Sequence, residues 1–183
     1  EKSPSDIAAR YGLSLALVKN SSFEEAVTEF ETLRPRLPNT ILMLAAYAEV
    51  LASAGQHQKA EKIVEKRLAI SPDNQLLSMI HVKTLIATKR FKEAEKILIR
   101  LSKVRPNDVD IWYELAETSG LAGNISGVHI ARAEYFVLHG AYTRSIQHLE
   151  YAKSLTRGNN PQLQAKLAQQ IQDLKTQVRL AKG

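Results

Sequence analysis

Along the chain, residues recur at three- and four-residue steps. Leu13, Ala16, Leu17 and Asn20 keep this spacing, and so do Leu44, Tyr47, Ala48 and Leu51. A period near 3.6 is that of helices with one face turned to a core. Ser21-Ser22 and Gly55 punctuate the breaks between successive helices. A third break falls on Lys89-Arg90, a less typical turn pair. The run from Pro161 to Lys182 predicts one long helix. Its apolar positions are Leu163, Leu167, Ile171, Leu174 and Val178, and its other face is rich in Gln and Lys.

The helical pattern repeats. Pro38, Pro72 and Pro106 recur at a constant step of 34, and Ala26, Ala60 and Ala94 keep the same step. Three positions before each alanine comes Phe23, His57 or Phe91; four after it comes Phe30, Val64 or Leu98. A small residue suits a close helix crossing, and the aromatic or apolar neighbours pack into the adjoining helix. Proline lacks the amide proton that would continue a helix, so it marks the turn into the next unit. Each proline is followed by a capping pair, Asn39-Thr40, Asp73-Asn74 or Asn107-Asp108. A period of 34 with two helices per unit is the length of the tetratricopeptide repeat (TPR). The chain resembles TPR proteins over at least residues 7–156. The expected fold is an all-α TPR superhelix, an α-solenoid, forming a single domain over residues 1–183. Its regular repeats are 7–40, 41–74 and 75–108.

The fourth unit begins in register, with Trp112, Leu115, Ala116 and Gly123 at the expected places. Its second helix departs: Val128 stands for the alanine and Arg132 for the apolar residue, and no proline follows. A second register opens instead on Ala133, Phe136, Gly140, Tyr142, Leu149 and Ala152. The segment Ser126–His139 is expected to close unit four and open unit five, with the two registers offset by about half a repeat. That offset should bend or close the superhelix there. Residues 109–156 are thus irregular units, and 161–182 is a capping helix covering the last apolar face.

Composition adds limits. No stretch approaches the roughly 18 apolar residues of a membrane span. The first residues, EKSPSD, lack a signal-peptide pattern, which leaves secretion of a processed or excised chain open. No cysteine is present, which removes disulfides and thiolate chemistry. Of the net charge of +6, residues 1–40 carry −1, residues 41–106 carry +6 and residues 107–183 carry +1. The basic middle third fits a solvated helix face; the alternative is a patch for an acidic partner or nucleic acid. Nucleic acid is disfavoured. The basic residues interleave with Glu61, Glu65, Glu93 and Glu95 at helix-pair spacings, and no aromatic-rich basic strand offers stacking.

Catalytic chemistry is not evident. There is no HExxH and no Gly-rich phosphate loop. None of His57, His81, His129, His139 and His148 pair at i, i+4, so no metal site is expected in this chain. His57 and His81 fall at packing positions. On the shared helix, His129, Arg132 and Glu134 are candidates for a polar pocket at the register break. The alternative is that Arg132 reaches a helix-end carbonyl or an acid such as Glu117 and fixes the altered packing.

First helices of TPR units line a concave face. Counting from the core alanine as position twenty, the inward positions are the second, fifth, ninth and twelfth. Repeat one places Ala8, Tyr11, Leu15 and Val18 there, and repeat two Leu42, Ala45, Glu49 and Ala52. Repeat three places Leu76, Met79, Lys83 and Ile86, and unit four Asp110, Tyr113, Glu117 and Gly120. The candidate partner-binding groove is therefore Tyr11, Leu15, Val18, Glu49, Met79, Lys83, Tyr113 and Glu117. The family's carboxylate clamp places Lys and Asn where repeat one has Tyr11 and Leu15, so gripping of acidic chain ends in that way is not expected.

A closer resemblance rests on three runs: YGLSLALVKNSSFEEAV, PNDVDIWYELAE and HIARAEYFVLHGAYTRSIQHLEYA. They are similar to the C-terminal TPR region of BepA (YfgC)-like periplasmic zinc metalloproteases. Ala131–Glu134 followed by Gly140 matches a feature of that family. The resemblance implies a protein-interaction and substrate-presenting module in outer-membrane protein assembly and quality control. It also implies a periplasmic location and zinc held only in a protease domain outside this chain. Expected partners are that protease domain, outer-membrane protein clients and assembly-machinery components. The alternative is a free-standing TPR scaffold in secretion or envelope assembly.

Overall fold

A computed structural model describes residues 7–36, 40–158 and 160–181. Pro38 and Asn39 of the first repeat, and Lys182 at the end of the expected capping helix, lie outside them. The described residues form ten α-helices and one short 3-10 turn, with no strand. They are α1 (Ile7–Lys19), α2 (Phe23–Leu33), α3 (Ile41–Ser53), α4 (His57–Leu68), α5 (Gln75–Ala87) and α6 (Phe91–Val104). There follow α7 (Val109–Leu121), α8 (Ile125–Leu138), α9 (Tyr142–Leu155) and α10 (Pro161–Leu180). The first helices begin at 7, 41, 75 and 109 and the second at 23, 57, 91 and 125, so the regular period extends through the start of α8. This is the TPR fold.

The chain forms two compact units, Glu1–Lys89 and Arg90–Gly183, which divide in the turn between the helices of the third repeat. In the first unit the core holds Ala26, Phe30, Ala48, Leu51, Ala60, Val64 and Leu77, all buried. Tyr11 meets Phe30 edge-on at 5.8 Å, and Phe30 stacks on Tyr47 at 5.2 Å. The Tyr47 hydroxyl donates to Glu31 Oε1 at 3.0 Å, and Arg34 lies over its ring. In the second unit Ala133, Leu149, Ala152, Leu167, Ile171 and Leu174 form a core shared by α8, α9 and α10. The apolar stripe read from residues 161–182 thus covers α9, with Leu163 half-buried at its start.

Helix ends follow the sequence signals. Thr40, Asn74 and Asp108, the second member of each capping pair, accept backbone amides of α3, α5 and α7. Asn124 and Asn160 cap α8 and α10, the latter with Pro161 in its first turn. The reversals within helix pairs use one backbone state. Ser21 (φ 61°), Gly55 (73°), Lys89 (61°) and Gly123 (79°) are left-handed at intervals of one full period, and Gly140 (68°) follows after half a period. The untypical Lys89-Arg90 break is therefore the same turn made without glycine.

The half-step explains α8. Position eight of each first helix is Ser14, Ala48, Val82, Ala116 and, half a period on, Ala133; all are buried. At position twenty Ala26, Ala60 and Ala94 are fully buried, while Val128 is only half-buried and Ser145 of α9 takes the buried place. Position twenty-four runs Phe30, Val64 and Leu98, all buried; Arg132 is exposed and Leu149 of α9 is buried instead. So α8 packs on α7 as a second helix and on α9 as a first helix.

One expectation is corrected. Glu95, read as a solvated acid, is 9% exposed. It accepts from Ser119 Oγ and Asn124 Nδ2, both at 2.7 Å. Asn124 in turn accepts the Gly127 amide at 2.9 Å. A buried carboxylate oxygen needs hydrogen-bond donors, and here α7 and the α8 cap supply two to Oε1.

At Gly123 an added Cβ would meet no atom within 4 Å, so Gly123→Ala carries a backbone cost alone. We expect about 1 kcal/mol of destabilisation in the second unit, read from denaturant unfolding. Lys89→Gly relieves the same strain and should stabilise by up to about 1 kcal/mol; a loss of stability in that variant would contradict the turn assignment.

Candidate functional site

The inward positions of the first helices sort into depths. The second position (Ala8, Leu42, Leu76, Asp110) and the ninth (Leu15, Glu49, Lys83, Glu117) are exposed in every unit. The fifth sinks: Ala45 is buried, Tyr11 and Met79 are half-buried, and only Tyr113 remains exposed. The twelfth (Val18, Ala52, Ile86) is half-buried, with Gly120 exposed.

Four of the predicted groove residues come together in the first unit. Leu15 and Val18 of α1, Glu49 and Val50 of α3, and Ile80 and Lys83 of α5 line a hollow of about 410 Å³. Its floor is apolar. At its rim Lys83 Nζ lies 3.9 Å from Glu49 Oε1, an exposed pair worth little to stability. Leu15 is 38% exposed at its edge. Val50 and Ile80 were not expected here; each follows an inward position by one residue and contributes from the buried side. Tyr11 instead belongs to the core edge against Phe30, and Met79 is half-buried beside Ile80. Tyr113 and Glu117 lie in the second unit, where the Tyr113 ring stands 6.1 Å from that of Tyr135.

The three candidates at the register break do not converge. Arg132 Nη2 reaches Glu117 Oε1 at 3.4 Å, joining α8 to α7. His129 turns to α9, its Nδ1 2.9 Å from Nδ1 of His148. Glu134 faces α10 and accepts from Gln170 Nε2 at 3.0 Å. The group is a set of packing contacts between α8 and its three neighbours. Rings gather around it: His129 stacks on Tyr151 and His148 on Phe136. The His129–His148 contact joins two different helices, so the i, i+4 spacing within one helix does not reveal it.

Burial lowers the pKa of both imidazoles, with Arg132 adding repulsion to each and His129 adding it to His148. At 2.9 Å one ring must donate and the other accept, so the two rings cannot both be protonated in this contact.

Comparison with known proteins agrees with the fold. The tetratricopeptide repeat family matches residues 51–118. Beta-barrel assembly-enhancing protease of Yersinia pestis is 26% identical over 150 residues, 81% of this chain and 30% of the relative. A putative beta-barrel assembly-enhancing protease of Vibrio cholerae is 27% identical over 146 residues, 80% of this chain and again 30% of the relative. The chain thus spans about a third of the length of these curated relatives. Among solved structures, residues 41 to the end of MamA from Desulfovibrio magneticus RS-1 superpose with a TM-score of 0.60 at 19% identity, covering 94% of this chain and 97% of that one. YrrB, a TPR protein described as having an unusual peptide-binding site, gives 0.59 at 14% identity, covering 79% and 75%. The chain has the TPR fold and is similar in sequence to the beta-barrel assembly-enhancing proteases.

The histidine pair fixes a pH dependence. Both native pKa values lie below the unfolded value of about 6.5, so the unfolded chain binds more protons in that window. Stability is full above about pH 6.5 and is lost as pH falls through the lowered native values. Melting followed from pH 7.5 to 5 should show this fall, and His148→Gln should flatten it; an unchanged slope in that variant would refute the assignment.

Proposed function

We propose that this chain is the protein-interaction, substrate-presenting module of a periplasmic beta-barrel assembly-enhancing protease of the BepA type. One observation carries the reading: the apolar hollow between α1, α3 and α5, open at Leu15 and edged by Glu49 and Lys83. Apolar side chains held on an open face gain nothing from exposure and gain burial when a partner chain covers them. The flanking charges supply orientation to a bound segment. The similarity to the Yersinia and Vibrio relatives, whose names join barrel assembly to proteolysis, supports an envelope role. In this reading unfolded outer-membrane protein segments are the clients, held for the protease domain of the same polypeptide. The zinc ion and the peptide-bond chemistry belong to that domain. Assembly-machinery components are further partners, and the chain itself is a non-enzymatic adaptor.

Leu15→Asp places a charge at the mouth of the hollow. It should weaken binding of a fluorescently labelled outer-membrane protein segment about tenfold, the worth of one lost apolar anchor. Helicity and melting should stay close to those of the parent, because Leu15 is outside the core cluster. Lys83→Glu should weaken the same complex. Undiminished binding in both variants would remove the hollow as the client site. An in-frame HExxH-encoding segment upstream of Glu1 would support the protease assignment, and a different upstream domain would defeat it.

A further inference from the structure

We infer that Glu61, Glu65 and His81 form a divalent transition-metal site in the first unit, suited to zinc. Glu61 and Glu65 are one helical turn apart on α4, so their carboxylates share a face. From α5, His81 Nε2 approaches Glu61 Oε1 at 3.3 Å and Glu65 Oε1 at 3.8 Å. All three donor atoms lie within 4.8 Å of one another. Two donors on one tetrahedral zinc ion, each bonded at about 2.0–2.2 Å, stand about 3.3 Å apart, so ligation needs only small side-chain adjustments.

The donor set selects the metal class. An imidazole nitrogen disfavours calcium and magnesium, which take oxygen shells, and two carboxylates with one imidazole match zinc and its neighbours. The two carboxylates neutralise the ion. His81 and Glu61 are the buried half of the site, with side chains 12% and 13% exposed. Glu65, at 55%, is the open half, where water completes the coordination and the ion enters. Binding uses the Nε2 lone pair, so the metal-bound ring carries its proton on Nδ1. The site lies off the hollow: His81 and Lys83 are two positions apart on α5 and do not share a face. A bound ion would clamp α4 to α5 and stabilise the folded first unit by mass action.

The test is titration of the 183-residue chain with zinc chloride by calorimetry at pH 7.5, alongside thermal melting and the nitrogen chemical shifts of the histidine rings. We expect one zinc per chain at this site, a raised melting temperature and a large shift at His81 Nε2. Glu65→Gln, an exposed change that leaves the packing alone, and His81→Gln should each weaken binding at least tenfold. His148→Gln should not, which separates this site from the His129–His148 pair. The inference is overturned if the chain binds no zinc, if Glu65→Gln and His81→Gln bind as the parent does, or if the loss follows His148→Gln.

Discussion

The left-handed residue that reverses each helix pair sets the spacing of the chain. A first helix, a reversal through one residue with positive φ and a second helix make a unit whose side chains return to the same face after one full period. Everything else is hung on that step. The capping residues Thr40, Asn74 and Asp108 follow it, and so do the buried small residues at positions eight and twenty. Glycine is the cheapest residue at the reversal, yet Ser21 and Lys89 hold it too. Packing of the two helices outweighs a local backbone cost on the order of 1 kcal/mol.

When the next reversal comes after half a period, the helix between two turns must face both ways. Such a helix cannot keep an apolar second-helix face and an apolar first-helix face without becoming apolar all round. The chain resolves this in α8 by assigning small residues, Ala131 and Ala133, to the buried contacts and polar residues to the flanks. Arg132 then ties to α7, His129 to α9 and Glu134 to α10. The Glu95–Ser119–Asn124 network anchors the start of the same helix. The polar groups of the break therefore read as the means by which one helix is held among three neighbours.

Much of this was legible because it is periodic. Ala26, Ala60 and Ala94, the capping pairs and the half-repeat shift from Ala116 to Ala133 are relations along the chain. The polar contacts are relations across it, and the local pattern misreads them. Glu95 sits at a spacing that suits a surface ion pair, but the residues that bury it are 24 and 29 positions away. His81 was legible as a packing residue, while its approach to Glu61 crosses 20 positions. The depth of the inward positions was also hidden. Periodicity gives the side of a helix that a residue occupies, whereas its depth depends on what packs against that side. Ala45 is thus buried and Glu49, one turn later, is exposed.

That difference in depth bears on what a partner could meet. Of the fifth positions of the first unit, Ala45 and Tyr11 pack in or against the core and Met79 is half-buried. The ninth positions, Leu15, Glu49 and Lys83, are exposed and make no core contact that the unit depends on. The hollow keeps its apolar floor, through Val50 and Ile80, as part of the core, while Leu15, Glu49 and Lys83 stand exposed at its rim. The residues that fill the core and those that edge the hollow are thus different positions of the same helices.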